Sequence, residues 1–351
     1  MIFYRTNTRK TALACLSAGL LWAASGVTPA HADDFFKGKT ITINIGSSAG
    51  GGLDVYGRLV SRYFGRHIPG NPNVVASNLP GAGGKVVAGR LFNVAARDGT
   101  QIGIVFPGIL VEPLLLEHVR KEYDPTKFNY IGNAHSEVLV CFIRNDVPAK
   151  TPADLTAHEL IIGATAPGST TWDYPAVTNN VLHTKFKIVT GYKGSREVTL
   201  AVEKNEAQGI CGVGFSTVKI QYPDAVKGNG FARIFAQEDM KGHPDLNKAG
   251  VPLMLDLVKN ETDRSAMRML YAQSSFARPL ILPQDVPADR VAILRKAFNE
   301  TMKDPELLAE AAKMNIDVLP STGEEVQMHV AEMYRTPPEV VARVRAALGR
   351  K

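Results

Sequence analysis

The chain has 351 residues, 45% of them hydrophobic, and 40 Lys and Arg against 34 Asp and Glu give a formal net charge of +6. That length can bury one large core or two medium ones, and the apolar content suits a globular protein. The mild basic excess is scattered, without a Lys/Arg block or interleaved aromatics, which excludes nucleic acid as a partner.

The N-terminus has the layout of an export signal. Arg5, Arg9 and Lys10 precede an apolar run from Ala12 to Ala24, and Ala30-His31-Ala32 has the small-x-small form of a cleavage site. The run is shorter than the ~20 residues a membrane helix needs. Residues 1–32 therefore read as a signal peptide cleaved after Ala32, with export to a periplasm. A lipid anchor at Cys15 is the rival, but that residue stands before most of the apolar run. Removal of the leader's three cations lowers the net charge to +3. No later run reaches the ~18 apolar residues of a membrane span.

Strand-like and helix-like patterns then alternate, which predicts α/β layers with mostly parallel strands. Ile41, Ile43 and Ile45 make a first strand, and Val55, Tyr56, Leu59, Val60, Tyr63 and Phe64 form one face of the following helix. "NVVASNL" is a second strand closed by "PGAGG", "KVVAGRLFNVAA" is its helix, and "TQIGIVF" is a third strand. "YIGNAHSEVLVCFIR" leads into a second series. It comprises "ELIIGAT", a helix from about Trp172 to Leu182, "KFKIVTGY", the helix "SREVTLAVEKNEA", and "QGICGVGF". After "FARIFAQ" the apolar strands give way to helices. "DRVAILRKAFNETM" and "DPELLAEAAKMN" carry Asp289 and Asp304 near their starts, where an anion caps or favours the helix dipole. Pro337-Pro338 interrupts the pattern before a basic terminal helix, "EVVARVRAALGRK", whose cations read as a solvated face.

Two series of similar size suggest two α/β lobes with a cleft between them. In open α/β sheets the ligand site lies at the carboxyl ends of the strands, which selects the turns after Ile45, Leu79, Val105, Ala164 and Val189. Gly46 to Gly52 is a run of small residues at a helix start, so several N–H groups can converge on one anion. A Walker-type loop would end in Gly-Lys-Ser/Thr, and this one ends in Gly52-Leu53-Asp54. An acid there repels a triphosphate and suits a helix cap. The dinucleotide fingerprint fails as well, because no acid closes a second strand about 20 residues on. Ala164 to Thr171 is the corresponding turn of the second series, rich in hydroxyls. No Gly-x-Ser-x-Gly elbow is present, and no histidine pairs with an acid or a second His at metal spacing. Only His135, beside Ser136 and Glu137, stands out. The inventory suits holding a small anion and lacks the parts for turning it over, so no catalytic residue, metal or cofactor is expected. Cys141 and Cys211 lie in apolar strand-like runs and read either as a disulfide or as two buried free thiols.

Several of these segments, in order, resemble the periplasmic solute-binding receptors of tripartite tricarboxylate transporters, the Bug-type receptors. The first-strand pattern V-P-F-x-A-G-G-x-x-D-x-x-A-R lies over Ile45 to Arg58, and N-x-P-G-A-G-G over Asn78 to Gly84. P-D-G-Y-T-L is met by Arg97 to Ile102, a serine/glycine turn by Thr165 to Ser169, and V-P-Y-K-G by Thr190 to Gly194. A late A-P-x-x-x-P segment resembles Ala277-Arg278-Pro279 with Leu282-Pro283, and the likeness spans about Lys37 to Met333. The resemblance implies a two-lobed, type II-like periplasmic binding fold that closes over its ligand. Lobe I would comprise residues 33–132 plus 238–351, and lobe II residues 133–237. It further implies a small organic carboxylate held by Ser47, Ser48, Gly50 and Gly51 from one lobe and Thr165, Gly168, Ser169 and Thr170 from the other, with Ala82 and Tyr192 as secondary contacts. The expected partners are the ligand and the permease subunits of the transporter, with the receptor itself a monomer. A ligand-dependent sensor for a two-component kinase, or an exported hydrolase or isomerase, are the alternatives. The chain departs from the family where Gly46-Ser47 replaces Pro-Phe, where Gly191 precedes Tyr192, at Trp172, and in the tail from Thr336.

Overall fold

The computed structural model describes residues 35–350, so the leader and its expected cleavage site lie outside the described residues. In chain order the first half runs β1 (Thr40–Ile45), α1 (Gly52–Phe64), β2 (Asn73–Asn78), α2 (Lys85–Asn93), β3 (Gln101–Ile104), α3 (Gly108–Leu115), α4 (Glu117–Glu122) and β4 (Asn129–Asn133). Next come β5 (Leu139–Arg144), β6 (Glu159–Gly163), α5 (Thr170–Leu182), β7 (Lys185–Val189), α6 (Ser195–Glu203), β8 (Gly209–Gly214), α7 (Phe215–Gln221), α8 (Pro223–Val226) and β9 (Ala232–Glu238). The chain closes with α9 (Pro244–Lys248), α10 (Glu261–Tyr271), β10 (Pro279–Leu282), α11 (Ala288–Thr301), α12 (Pro305–Lys313), β11 (Ser321–Thr322), α13 (Gly323–Met333) and α14 (Pro338–Ala347).

Among the described residues the strands form a six-stranded sheet, β11-β4-β10-β3-β1-β2, and a five-stranded sheet, β7-β6-β8-β5-β9. The two share one plan. In each, three strands of a parallel strand-helix series stand in the order second, first, third (β2-β1-β3 and β7-β6-β8), followed by one antiparallel strand. In the first sheet that strand is β10, returning from beyond the second sheet, and in the second it is β5, entering directly from β4. The expectation of mostly parallel strands therefore holds for the strand-helix repeats and fails where the chain crosses between sheets, because no helix separates β4 from β5. β10 escaped the sequence reading for a related reason. It is four residues long, fully buried, and placed next to prolines, so it shows no alternation.

The β1 isoleucines Ile41, Ile43 and Ile45 are completely buried, each contributing about 1.5–3 kcal/mol. They pack with Leu59, Val60 and Phe64 of α1, whose apolar face matches the expected spacing. A second apolar cluster runs from Val87 and Leu91 of α2 through α3, α10 and α14 to Leu160 and Val177 beside the second sheet. Helices late in the sequence thus help join the two halves. Asp304 caps α12, accepting the Glu306 N–H at 2.9 Å. No described helix is long and apolar enough to cross a membrane.

Candidate functional site

At the carboxyl end of β1 the chain turns through Gly46–Gly51 into α1, and this turn is pinned by residues of two different motifs. Asp54, on the first turn of α1 and 4% exposed, accepts the Gly50 N–H at 2.9 Å, the Arg58 Nε at 2.9 Å and the Asn78 Nδ2 at 2.7 Å. The Asn78 Nδ2 also donates to the Ser47 carbonyl at 2.9 Å. Burial works against the charged form of Asp54, but the Gly50 N–H, Asn78 and Arg58 together hold its pKa below the usual carboxylate range. With the loop fastened in this way, the N–H groups of Ser47, Ser48 and Gly51 have no partner among the described residues. Ala82 lies in the neighbouring turn after β2, where Gly84 comes so close that a methyl group on Gly46 would stand 3.1 Å from its Cα.

The β6–α5 turn is built differently. Thr165 Oγ1 donates to Ser169 Oγ at 2.6 Å and lies 2.9 Å from Thr171 Oγ1, while Ser169 Oγ donates to the Ala166 carbonyl at 2.7 Å. Thr170 Oγ1 donates to the Gly212 carbonyl at 2.7 Å, which turns this hydroxyl toward the sheet. The N–H groups of Thr165, Gly168 and Ser169 are also engaged, with Thr171 Oγ1, Asp173 Oδ1 and the Ala166 carbonyl respectively. Of the residues nominated from sequence here, Thr165, Gly168 and Ser169 thus spend their N–H donors inside the protein, and Thr165, Ser169 and Thr170 their hydroxyl protons as well.

The two halves meet where glycines remove the side chains. A methyl group on Gly108, at the start of α3, would collide with the Gly168 carbonyl, and one on Gly168 would stand 2.7 Å from Glu112 Oε1. A methyl on Gly194 would lie 3.6 Å from Ser48 Oγ, and one on Gly52 would lie 2.8 Å from Thr217 Oγ1. The β1–α1, β6–α5 and β7–α6 turns therefore face a common boundary. Tyr192 is near it but leans on the sheet, 3.4 Å from where a Gly163 Cβ would be. Lys85 pairs with the buried Glu112 at 3.0 Å beside the same boundary, a pair with no signal in the sequence because its members belong to different motifs.

Sequence reasoning singled out His135 beside Glu137 but missed that both are buried in a charge cluster with Arg278 where the chain crosses between sheets. Glu137 Oε1 accepts the Ser216 N–H at 3.0 Å with His135 Nε2 3.7 Å away, and Oε2 accepts an Arg278 guanidinium N–H at 3.1 Å. Burial would raise the Glu137 pKa, but His135, Arg278 and Ser216 outweigh it and bring it to about 2. His135, 3% exposed, stacks on Tyr56 with ring centroids 5.2 Å apart. A cavity of about 560 Å³ adjoins this cluster, lined by His135, Phe215, His243 and Ser274 among others, and another of about 570 Å³ lies beside α11. Cys141 and Cys211 are joined as a disulfide between β5 and β8. Glu238 shares that spot, yet sulfurs bonded to each other offer no thiolate to a metal.

No family model matches the chain. A curated relative, described as a UPF0065 protein in the TAR-I ttuE-ttuC' intergenic region of Agrobacterium vitis, is 24% identical over 318 residues, covering 88% of this chain and 82% of that protein. The periplasmic binding protein BugD superposes with a TM-score of 0.70 at 18% identity, covering 88% of this chain and 97% of BugD. The adipate-bound R. palustris protein Rpa4515 gives 0.68 at 18% identity over 89% of this chain and 97% of its own. MatC (Rpa3494) of Rhodopseudomonas palustris, with bound malate, gives 0.67 at 16% identity over 88% and 99%. The chain has the two-lobed α/β fold of periplasmic binding proteins.

Proposed function

We propose that this chain is a periplasmic receptor that binds a small organic carboxylate between its lobes and delivers it to the permease subunits of a tripartite tricarboxylate transporter. The observation that carries the reading is the β1–α1 turn. Its N–H groups at Ser47, Ser48 and Gly51 are unpartnered, and the turn borders the same boundary between the halves as the hydroxyl-rich β6–α5 turn. A carboxylate leaving water needs each oxygen hydrogen-bonded. The first turn supplies donors, and closure of the second turn over them excludes water. A ligand that touches both turns favours the closed state by the contacts it makes only there.

The likeness to the adipate- and malate-bound proteins supports the same ligand class, and the receptor acts as an exported monomer with no cofactor and no turnover. Lobe II spans residues 133–237, with the remainder of Asp33–Lys351 forming lobe I. Thermal unfolding of Asp33–Lys351 against citrate, C4–C6 dicarboxylates, acidic amino acids and aromatic acids tests this. An acid at ~100 times its Kd adds about 2.7 kcal/mol, and Ser169→Trp, which fills the boundary, abolishes the shift. Turnover of any acid in the panel would contradict the receptor reading.

A further inference from the structure

The described cations of the terminal segment, Arg343, Arg345 and Arg350, do not form a solvated face. Val341, Val344, Ala347 and Leu348 of α14 and its end are buried against α3, α5 and α10. Arg343 Nε donates to Asp263 Oδ1 at 2.6 Å, and Arg345 donates to the Leu114 carbonyl at 3.1 Å. Arg350 pairs with Asp173, and the two side chains are only 7% and 6% exposed. Its guanidinium also lies over the Trp172 ring, 6.0 Å from the centroid. The same Asp173 oxygen accepts the Gly168 N–H at 3.1 Å, and Gly168 is held at φ +93°.

We propose that Arg350 is a positioning residue for the β6–α5 binding turn: it neutralises the buried Asp173, whose carboxylate then holds the Gly168 N–H and keeps the turn in its binding shape. Asp173 needs this cation. Its other charged neighbour is Glu112, which approaches Gly168 from α3 and repels it, and Lys85 is already paired with Glu112. Burial raises the Asp173 pKa to about 6 even against Arg350 and the Gly168 N–H. A buried carboxylate without its counter-ion takes up a proton and becomes a weaker acceptor. Arg350, in the tail that departs from the family pattern, thereby sets the geometry of the β6–α5 turn through Asp173, 177 positions earlier. The inference rests on the reading of this turn as half of the carboxylate site.

The test compares Asp33–Lys351 with Arg350→Ala, Asp173→Asn and the double variant, by amide exchange of residues 164–172 and by affinity for adipate and malate as probes. Arg350→Ala speeds exchange at Gly168 and weakens the bound probe, each by about tenfold, the range of one charged hydrogen bond. The double variant recovers most of both losses, because Asn accepts the Gly168 N–H without needing a cation. Should Arg350→Ala unfold the chain, Asp173→Asn with and without Arg350→Lys reads the same coupling. Unchanged exchange in Arg350→Ala overturns the proposal. So does a loss that Asp173→Asn fails to rescue, which would assign the effect to the packing of α14. If exchange follows the prediction while neither probe nor any acid of the panel binds, the positioning of the turn is supported and the receptor reading falls.

Discussion

The β1–α1 turn leaves the N–H groups of Ser47, Ser48 and Gly51 without intramolecular partners, whereas in the β6–α5 turn those of Thr165, Gly168 and Ser169 are all taken. The first turn is fastened from outside by one buried acceptor, Asp54, reached by Arg58 and Asn78. The second is fastened from within by three hydroxyls, and from the chain's end by Asp173 with Arg350. One turn is thus built to present donors and the other to present a fixed wall. On the proposed reading, a carboxylate held between them would take its hydrogen bonds mainly from the first and its shape selection mainly from the second.

The largest effect follows from closing the boundary itself. Gly108→Val places a branched side chain against the Gly168 carbonyl, so the lobes cannot meet. Affinity for a bound acid falls by about 100-fold, while melting of the ligand-free chain changes far less, because overpacking at an openable boundary is relieved by opening. Calorimetric titration beside unfolding separates the two. Next is the dependence of the first turn on a single acceptor. Asp54→Ala deprives three donors of their partner and costs about 2–4 kcal/mol of stability. Thr165→Val, which leaves the Ser169 and Thr171 hydroxyls paired at 3.0 Å, costs about 1 kcal/mol. Urea unfolding of the two variants yields the ratio, and equal losses would break the contrast between the turns.

The acid limb sharpens the contrast further. Folding lowers the Asp54 pKa below the ordinary 3.8, so its contribution is complete above that value and is lost as pH falls through the folded pKa. Folding raises Asp173 to about 6, so the native state prefers its proton, and stability from this group grows as pH falls from 6 toward 3.8. Asp54→Asn therefore flattens the acid loss. Asp173→Asn removes the gain between pH 6 and 4 and adds a constant offset from the unpaired Arg350. Unfolding free energies measured from pH 3 to 7 distinguish these profiles. Parallel curves for the two variants would contradict the assignment.

Much of the first half could be read ahead of the structure because its determinants are local. The Ile41–Ile45 alternation, the small-residue turn and Asp54 all lie within 15 residues, and Asn78 closes the arrangement from the next strand. Asp304 was legible as a cap for the same reason. The crossing strands were not, since antiparallel pairing of β5 and β10 depends on where distant segments return, and β10 is too short to show a period. Nor were the ion pairs Lys85–Glu112, Arg278–Glu137 and Arg350–Asp173. Each joins residues far apart in the sequence, and only folding brings the partners together and buries the acid of each pair. Charge patterning along one helix carries no information about an acid on another.

Trp22 lies within residues 1–32, so Trp172, in the first turn of α5, is the single tryptophan of Asp33–Lys351. Its emission during titration with adipate, malate and the other acids of the panel tests the central claim most directly. The account predicts a saturable change with at least one acid in the wild-type chain and its loss in Gly108→Val. An acid that binds by calorimetry while Trp172 emission stays flat, or that binds Gly108→Val equally well, would place the ligand away from the two turns and contradict the account.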